Sequence, residues 1–151
     1  MTTASPDSVR TIPAWRGAED WLLLGGRILL ASIFVIAGLR KLGDYGMFAG
    51  YMAHFGVPAP ALLLPLATAL EIGGGLLLAI GLWTRWAALA LALYTLLLAF
   101  IFHAFWAVDP KQLGAQLNLF LFHLETIGGM LYVLAHGAGA HSLDRAMSRR
   151  R

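Results

Sequence analysis

A glutamate in the middle of a long apolar stretch is the residue of this chain with the clearest chemical potential. Glu71 lies in the run LLLPLATALEIGGGLLLAIGL, where a carboxylate costs about 3 kcal/mol on insertion scales and each Leu or Ile returns about 0.5 kcal/mol. Its helical face also carries small residues at i−4, i−3, i+3 and i+4, namely Ala67, Thr68, Gly74 and Gly75. Small residues allow close helix packing, so we predict that Glu71 points into a helix–helix contact. It could serve a proton, a cation or a lipid headgroup, or it could only specify packing.

Arg27 is the predicted partner of Glu71. With a rise of 1.5 Å per residue, Arg27 would lie about 9 Å and Glu71 about 16 Å from the same membrane boundary. An arginine side chain spans much of that difference, so we expect an ion pair. The alternative is that Arg27 extends back to lipid phosphates.

Glu125 is a second carboxylate at membrane depth, and it shares a helical face with Gly128, Gly129 and Tyr132. Two neighbouring carboxylates can hold a proton between them, as in intramembrane proton pathways. The alternative is that Glu71 and Glu125 lie on opposite sides of the bundle.

Two histidines and a tryptophan surround the loop between the third and fourth apolar stretches. His103, Trp106 and His123 could contact a quinone ring or another ligand near the outer surface. Alternatively, the histidines are interfacial and bond to water and lipid. His123 and Glu125 face different ways, so they are not a metal pair. We predict no catalytic residue and no metal site, because no nucleotide-binding, nucleophile or zinc motif is present.

Four apolar stretches carry these residues, and each is close to the roughly 20 residues that cross a bilayer. The predicted fold is therefore all-α, an integral membrane four-helix bundle over residues 21–136. An N-terminal tail (1–20) and a basic C-terminal tail (137–151) flank it. The predicted spans are 21–39, 61–82, 87–106 and 117–135.

A short helix in the membrane interface is predicted between the first two spans. There, aromatic and methionine residues recur with helical amphipathic spacing at Met47, Phe48, Tyr51, Met52 and Phe55.

Composition supports a membrane protein without a second domain. The chain has 151 residues, of which 59% are hydrophobic and 13% charged, whereas soluble domains carry about 25% charged residues. It contains no cysteine, which excludes disulfide relay chemistry and thiolate metal sites within this subunit. We expect the lipid bilayer as its surroundings and no nucleic acid partner.

Basic residues predict the orientation, because Lys and Arg concentrate on the cytoplasmic side. Arg40, Lys41 and Lys111 fall on one side, which should be the outer one. The larger set places both termini in the cytoplasm and comprises Arg10, Arg16, Arg85, Arg145, Arg149, Arg150 and Arg151. The last four of these could also bind anionic lipid headgroups.

The chain resembles the DoxX family of small bacterial four-helix inner-membrane proteins. The resemblance covers roughly residues 25–144 and rests on GRILLASIFVIAGLRKL, GVPAPALL, LEIGGGLLLAIGLWTR, FHAFW and IGGMLYVLAHGAGAHSLD. Arg27, Lys41 and Glu71 match recurring polar positions of the family. The resemblance implies a location in the bacterial plasma membrane and an association with redox complexes, as a quinone-oxidoreductase subunit or a scaffold for oxidative-stress enzymes.

Three functions fit these observations. The first is an accessory or scaffold subunit of a membrane redox assembly, or a binder of a small lipophilic molecule. The second is a proton-coupled transporter that uses Glu71 and Glu125. The third is a quinone-interacting oxidoreductase subunit. A self-contained enzyme is the least favoured. The candidate protein partners are a second copy of this chain and a membrane or peripheral oxidoreductase.

Overall fold

The computed structural model describes the backbone of residues 16–150 and the side chains of residues 18–150. Most of the predicted N-terminal tail, including Arg10 and Trp15, and the last residue, Arg151, lie outside this part. The helices are α1 (Arg16–Gly43), α2 (Tyr45–His54), α3 (Pro60–Ile80), α4 (Thr84–Phe102), α5 (Pro110–His136) and α6 (Leu143–Ser148), and a 3-10 turn (Phe105–Ala107) precedes α5.

The prediction of an all-α bundle with four membrane spans is confirmed. Four helices are long and apolar enough to cross a bilayer, and they cover Ala18–Gly43, Pro60–Ile80, Thr84–Ala107 and Pro110–His136. The first and last extend beyond the predicted apolar stretches because their helices continue through polar residues at the ends. The short helix expected between the first two spans is α2.

The four spans form a closed ring in the order α1, α3, α4, α5. Each packs on its two neighbours in that ring, and the contacts of α1 with α3 and of α4 with α5 are the most extensive. The helices α3 and α5 therefore occupy diagonal positions. This arrangement determines which polar side chains can meet.

Small residues bring α1 and α3 into close contact on the face that bears Glu71. A methyl group added at Gly75 would meet the backbone of Ala31 and Val35, and one added at Gly38 would meet Ile72. Because neither glycine has a side chain, the two helix backbones can approach each other closely. The close helix contact predicted around Glu71 is thus present, and Glu71 itself is 2% exposed.

The segment after α5 folds back across one end of the bundle. Its chain passes over the turn between α3 and α4, where Gly81 has a φ of 72° and ends α3. A Cβ atom at Gly81 would collide with Ser142 and with the guanidinium of Arg27. Residues 137–148 are consequently part of the folded bundle and not a separate tail.

Candidate functional site

Glu71 is bound by donors from two other helices. The Lys41 ammonium in the last turn of α1 lies 2.9 Å from each carboxylate oxygen of Glu71. The Tyr94 hydroxyl of α4 donates to Oε1 of Glu71 at 2.7 Å. Side-chain exposures of 16% for Lys41 and 3% for Glu71 show that Glu71 is buried and that Lys41 is partly buried. The carboxylate is therefore neutralised and fully hydrogen-bonded inside the bundle.

The predicted ion pair between Arg27 and Glu71 is wrong. Arg27 is 2% exposed, and its guanidinium donates to the carbonyls of Ala79, Ala138 and His141. Ala79 is in the last turn of α3, where helix carbonyls lack partners within the helix. Arg27 therefore binds the end of α3 and the returning C-terminal segment. The alternative of an arginine that extends to lipid is excluded by the same contacts.

Lys41 lies at the end of α1 that is predicted to face outward, but its side chain is mostly buried. Its ammonium turns inward to Glu71, and its charge also lies 5.2 Å from the centre of the Phe48 ring of α2. Arg40, by contrast, is exposed at the end of α1. Adjacent basic residues of one helix thus have different surroundings because they face about 100° apart.

An apolar cavity of about 380 Å³ lies beside this ion pair, between α2, α3 and α4. Lys41 and Tyr94 reach its wall directly, whereas Glu71 is behind them. The remaining wall is almost entirely aliphatic and aromatic, with Phe48, Tyr51 and Met52 contributed by α2. The volume lies within the range of small-molecule sites, about 300–1,000 Å³.

His103 and His123 reach the same cavity, as the histidine hypothesis requires. Their ring centres are 4.7 Å apart. Nδ1 of His103 lies 2.9 Å from Gln116 Oε1, and Nδ1 of His123 lies 2.8 Å from the carbonyl of Leu119. Because a carbonyl oxygen only accepts, Nδ1 of His123 must carry hydrogen. Both rings are thus oriented by α5.

Trp106 is not among the residues that line the cavity. It is 56% exposed and packs against Phe100, Phe105 and Phe120 in the aromatic group that joins the 3-10 turn to α4 and α5. The structure therefore does not bring Trp106 to the cavity together with the two histidines, and its contact with a ligand stays a prediction.

Glu125 is exposed on α5, while Glu71 is buried on the diagonally opposite helix. Within the part of the chain that the structure describes, no hydrogen bond or ion pair joins the two residues. The structure thus realises the alternative in which the carboxylates lie on different sides. A shared proton between Glu71 and Glu125 is not compatible with this arrangement.

The basic residues near the C-terminus that the structure describes all lie at the surface. Arg145, Arg149 and Arg150 are exposed, and Arg145 lies at the end of the bundle where the C-terminal segment returns. Their exposure is compatible with headgroup binding. Among the described residues, no group of three or more His, Asp or Glu side chains could hold a metal ion.

Sequence reasoning missed two residues of this arrangement. Tyr94 lies in the otherwise apolar run LALALYTLLLAF, where its hydroxyl and that of Thr95 are the two polar side-chain groups. Asp144 accepts from the backbone N–H groups of Trp83 and Thr84 at 2.8 and 3.0 Å. It thereby caps α4 from a distant part of the chain, which no local pattern indicates.

Comparisons with known proteins agree with the architecture. Residues 22–104 match the family model described as DoxX. The chain is 39% identical over 132 residues to "Inner membrane protein YqjF" of Escherichia coli (strain K12), covering 87% of this chain and 96% of the relative. It is 34% identical over 128 residues to "Inner membrane protein YphA" of the same organism, covering 85% and 91%. No solved structure matches it significantly. The chain therefore belongs to the DoxX family.

Proposed function

We propose that this protein binds a small lipophilic molecule within the membrane, and that the molecule is of the quinone class. The single observation that supports this is the apolar cavity with Lys41 and Tyr94 at its wall and the histidine pair also on it. Such a cavity takes an apolar ring and leaves a few polar contacts to orient it.

Lys41 would act as the donor to a ligand carbonyl. Its ammonium has three N–H groups, and the two carboxylate oxygens of Glu71 account for two of them. The third can donate to an oxygen in the cavity. Glu71 would then be a positioning residue, because it holds Lys41 and Tyr94 in place without reaching the cavity wall.

The histidine pair would form hydrogen bonds with the ligand's other polar atoms. With Nδ1 of His123 engaged by the carbonyl of Leu119, the Nε2 atom of the neutral ring is an acceptor. The oxygen atoms of a quinone are carbonyls, which accept hydrogen bonds, and those of its reduced quinol form are hydroxyls, which can also donate them. A site with both donor and acceptor groups therefore suits this class of compound.

Filling the cavity tests this proposal. Ala67 lines the cavity, and Ala69 is exposed two residues away on the same helix. In detergent, Ala67→Phe should abolish binding of a short-chain benzoquinone measured by fluorescence quenching, and Ala69→Phe should bind like the parent. Equal affinities for the two variants would reject the cavity as the site.

We also propose that the protein resides in a bacterial inner membrane, as the names of YqjF and YphA state for those relatives. There it would act as an accessory subunit that presents its ligand to a membrane oxidoreductase. Mild-detergent purification from native membrane, followed by mass spectrometry of bound proteins and lipids, tests this role. Recovery of quinone together with an oxidoreductase supports it, and recovery of the protein without either one contradicts it.

A further inference from the structure

Polar side chains recur every seven residues along the outer face of α5. Lys111, Asn118, Glu125 and Tyr132 are all exposed, and Tyr132 is 73% exposed. The first and last of them are 21 positions apart, or about 32 Å along the helix, which matches the hydrocarbon thickness of a bilayer. A single copy of the chain would therefore present a carboxylate and an amide directly to lipid, which is costly.

Small or aliphatic residues occupy the positions that follow each of these polar residues by three. These positions are Gly114, Leu121, Gly128 and Ala135. A Cβ atom at Gly114 or Gly128 would have nothing within 4 Å, whereas one at the adjacent Gly129 would meet Leu30 of α1. Among the described residues, no other helix of the same chain covers the two open glycines. We call the eight residues at these two heptad positions the α5 seam.

We propose that the α5 seam is the contact between two copies of this chain, arranged as a parallel pair of α5 helices about a two-fold axis normal to the membrane. A strict seven-residue repeat makes two helices wind around each other in a left-handed coil. Glycines on that repeat allow the backbones to approach closely. This inference is independent of the proposed ligand.

A second copy is the occupant that the side chains of the seam fit. Copies inserted with the same topology place the same residue at the same depth, so a two-fold axis brings each residue to its counterpart. The Asn118 amide both donates and accepts, so it can pair with its own copy. An apolar lipid chain or an apolar helix could not satisfy this amide.

Single-cysteine crosslinking tests the proposal, because the chain has no cysteine of its own. Leu121 is in the seam and Leu119 is not, yet their exposures are 44% and 40%. Oxidation in native membranes should convert Leu121→Cys, but not Leu119→Cys, into a covalent dimer of this chain. Equal crosslinking of both, crosslinking of neither, or a product with another protein would overturn the proposal.

A bulky substitution in the α5 seam provides a second test. Gly128→Leu places a side chain where the single chain has open space, so the monomer should fold and the Leu121→Cys dimer should be lost. Gly25→Leu is the control, because Gly25 of α1 also has open space around it and lies outside the seam. Retention of the dimer by Gly128→Leu, or its loss in Gly25→Leu, would contradict the assignment.

Discussion

At the scale of single residues, the ion pair of Lys41 and Glu71 dominates the interior. A carboxylate at this depth persists because the ammonium reaches both of its oxygens and Tyr94 adds a third bond. The position of Lys41 in the last turn of α1 also suits a cation, since the carbonyl end of a helix carries partial negative charge.

Removing one member of this pair should be much worse than removing both. Lys41→Met should lower the free energy of unfolding by about 3–5 kcal/mol, because it leaves Glu71 buried without a counter-charge. The double variant Lys41→Met with Glu71→Leu should recover much of that loss. Thermal unfolding in detergent measures both changes. The exposed neighbour Arg40 offers a control, and a Lys41→Met protein as stable as Arg40→Met would show that the pair contributes nothing.

At the scale of secondary structure, the C-terminal segment closes one end of the bundle. The N-terminal end of α4 has no side-chain cap from its own N-cap residue, Trp83, and Asp144 supplies one. Burial acts to raise the pKa of Asp144, but the N–H bonds from Thr84 and Trp83 and the charge of Arg27 outweigh it and lower that pKa overall. The folded state thus favours the ionised form.

Asp144→Ala should lower the free energy of unfolding by about 1–2 kcal/mol, the usual effect of losing a helix cap. Because the folded pKa is lowered, this contribution is complete above the unfolded pKa of about 3.9 and is lost as pH falls through the folded value. The stability difference between parent and variant should therefore be constant from about pH 5 to 8 and shrink below about pH 4.

A pH series of thermal unfolding in detergent measures this difference. Asp109 provides a matched control, because it is the N-cap residue of α5 but its side chain makes no capping bond. Asp109→Ala should leave stability near that of the parent. If Asp144→Ala had no larger effect than Asp109→Ala, the remote cap would be energetically unimportant.

The arginines beyond α6 can be separated from this docked segment. Replacing Arg149, Arg150 and Arg151 with Gln should leave thermal stability unchanged, because α6 ends at Ser148. The same change should reduce retention of anionic lipids in native mass spectrometry, at about 1 kcal/mol per arginine near a charged surface. Arg40→Gln at the opposite end is the control. Unchanged lipid retention in the triple variant would mean that these residues only influence topology.

At the scale of the whole molecule, the two ends of the bundle differ in exposed positive charge. One end carries Arg85, Arg145, Arg149 and Arg150, all exposed. The opposite end exposes Arg40 and Lys111, while Lys41 is neutralised internally by Glu71. The inward turn of Lys41 therefore increases the asymmetry on which the predicted orientation depends.

Cysteine labelling of intact cells tests that orientation. A Gly46→Cys variant should react with a membrane-impermeant maleimide from outside, because Gly46 is exposed at the end expected to face outward. A Ser148→Cys variant should react only after permeabilisation. The reverse pattern would place both termini outside the cytoplasm.

Patterns in the amino-acid sequence are sufficient to predict the fold class, the presence of four spans, the short helix before α3 and the burial of Glu71. These features depend on local quantities, namely the length of apolar runs, helical periodicity and small residues around one carboxylate. The same patterns placed His103 and His123 near a common site.

The pairing of the polar groups could not be predicted without the packing of the helices. Sequence patterns do not distinguish Arg27 from Lys41 as the partner of Glu71. The packing order α1, α3, α4, α5 places Lys41 beside Glu71. The returning C-terminal segment supplies a carbonyl that binds Arg27. Trp106 and Glu125 also lie apart from the residues with which they were grouped. Trp106 is in the 3-10 turn, and Glu125 is on α5, the helix diagonal to α3. Partner choice depends on distances between segments far apart in the chain, and one sequence carries no direct record of those distances.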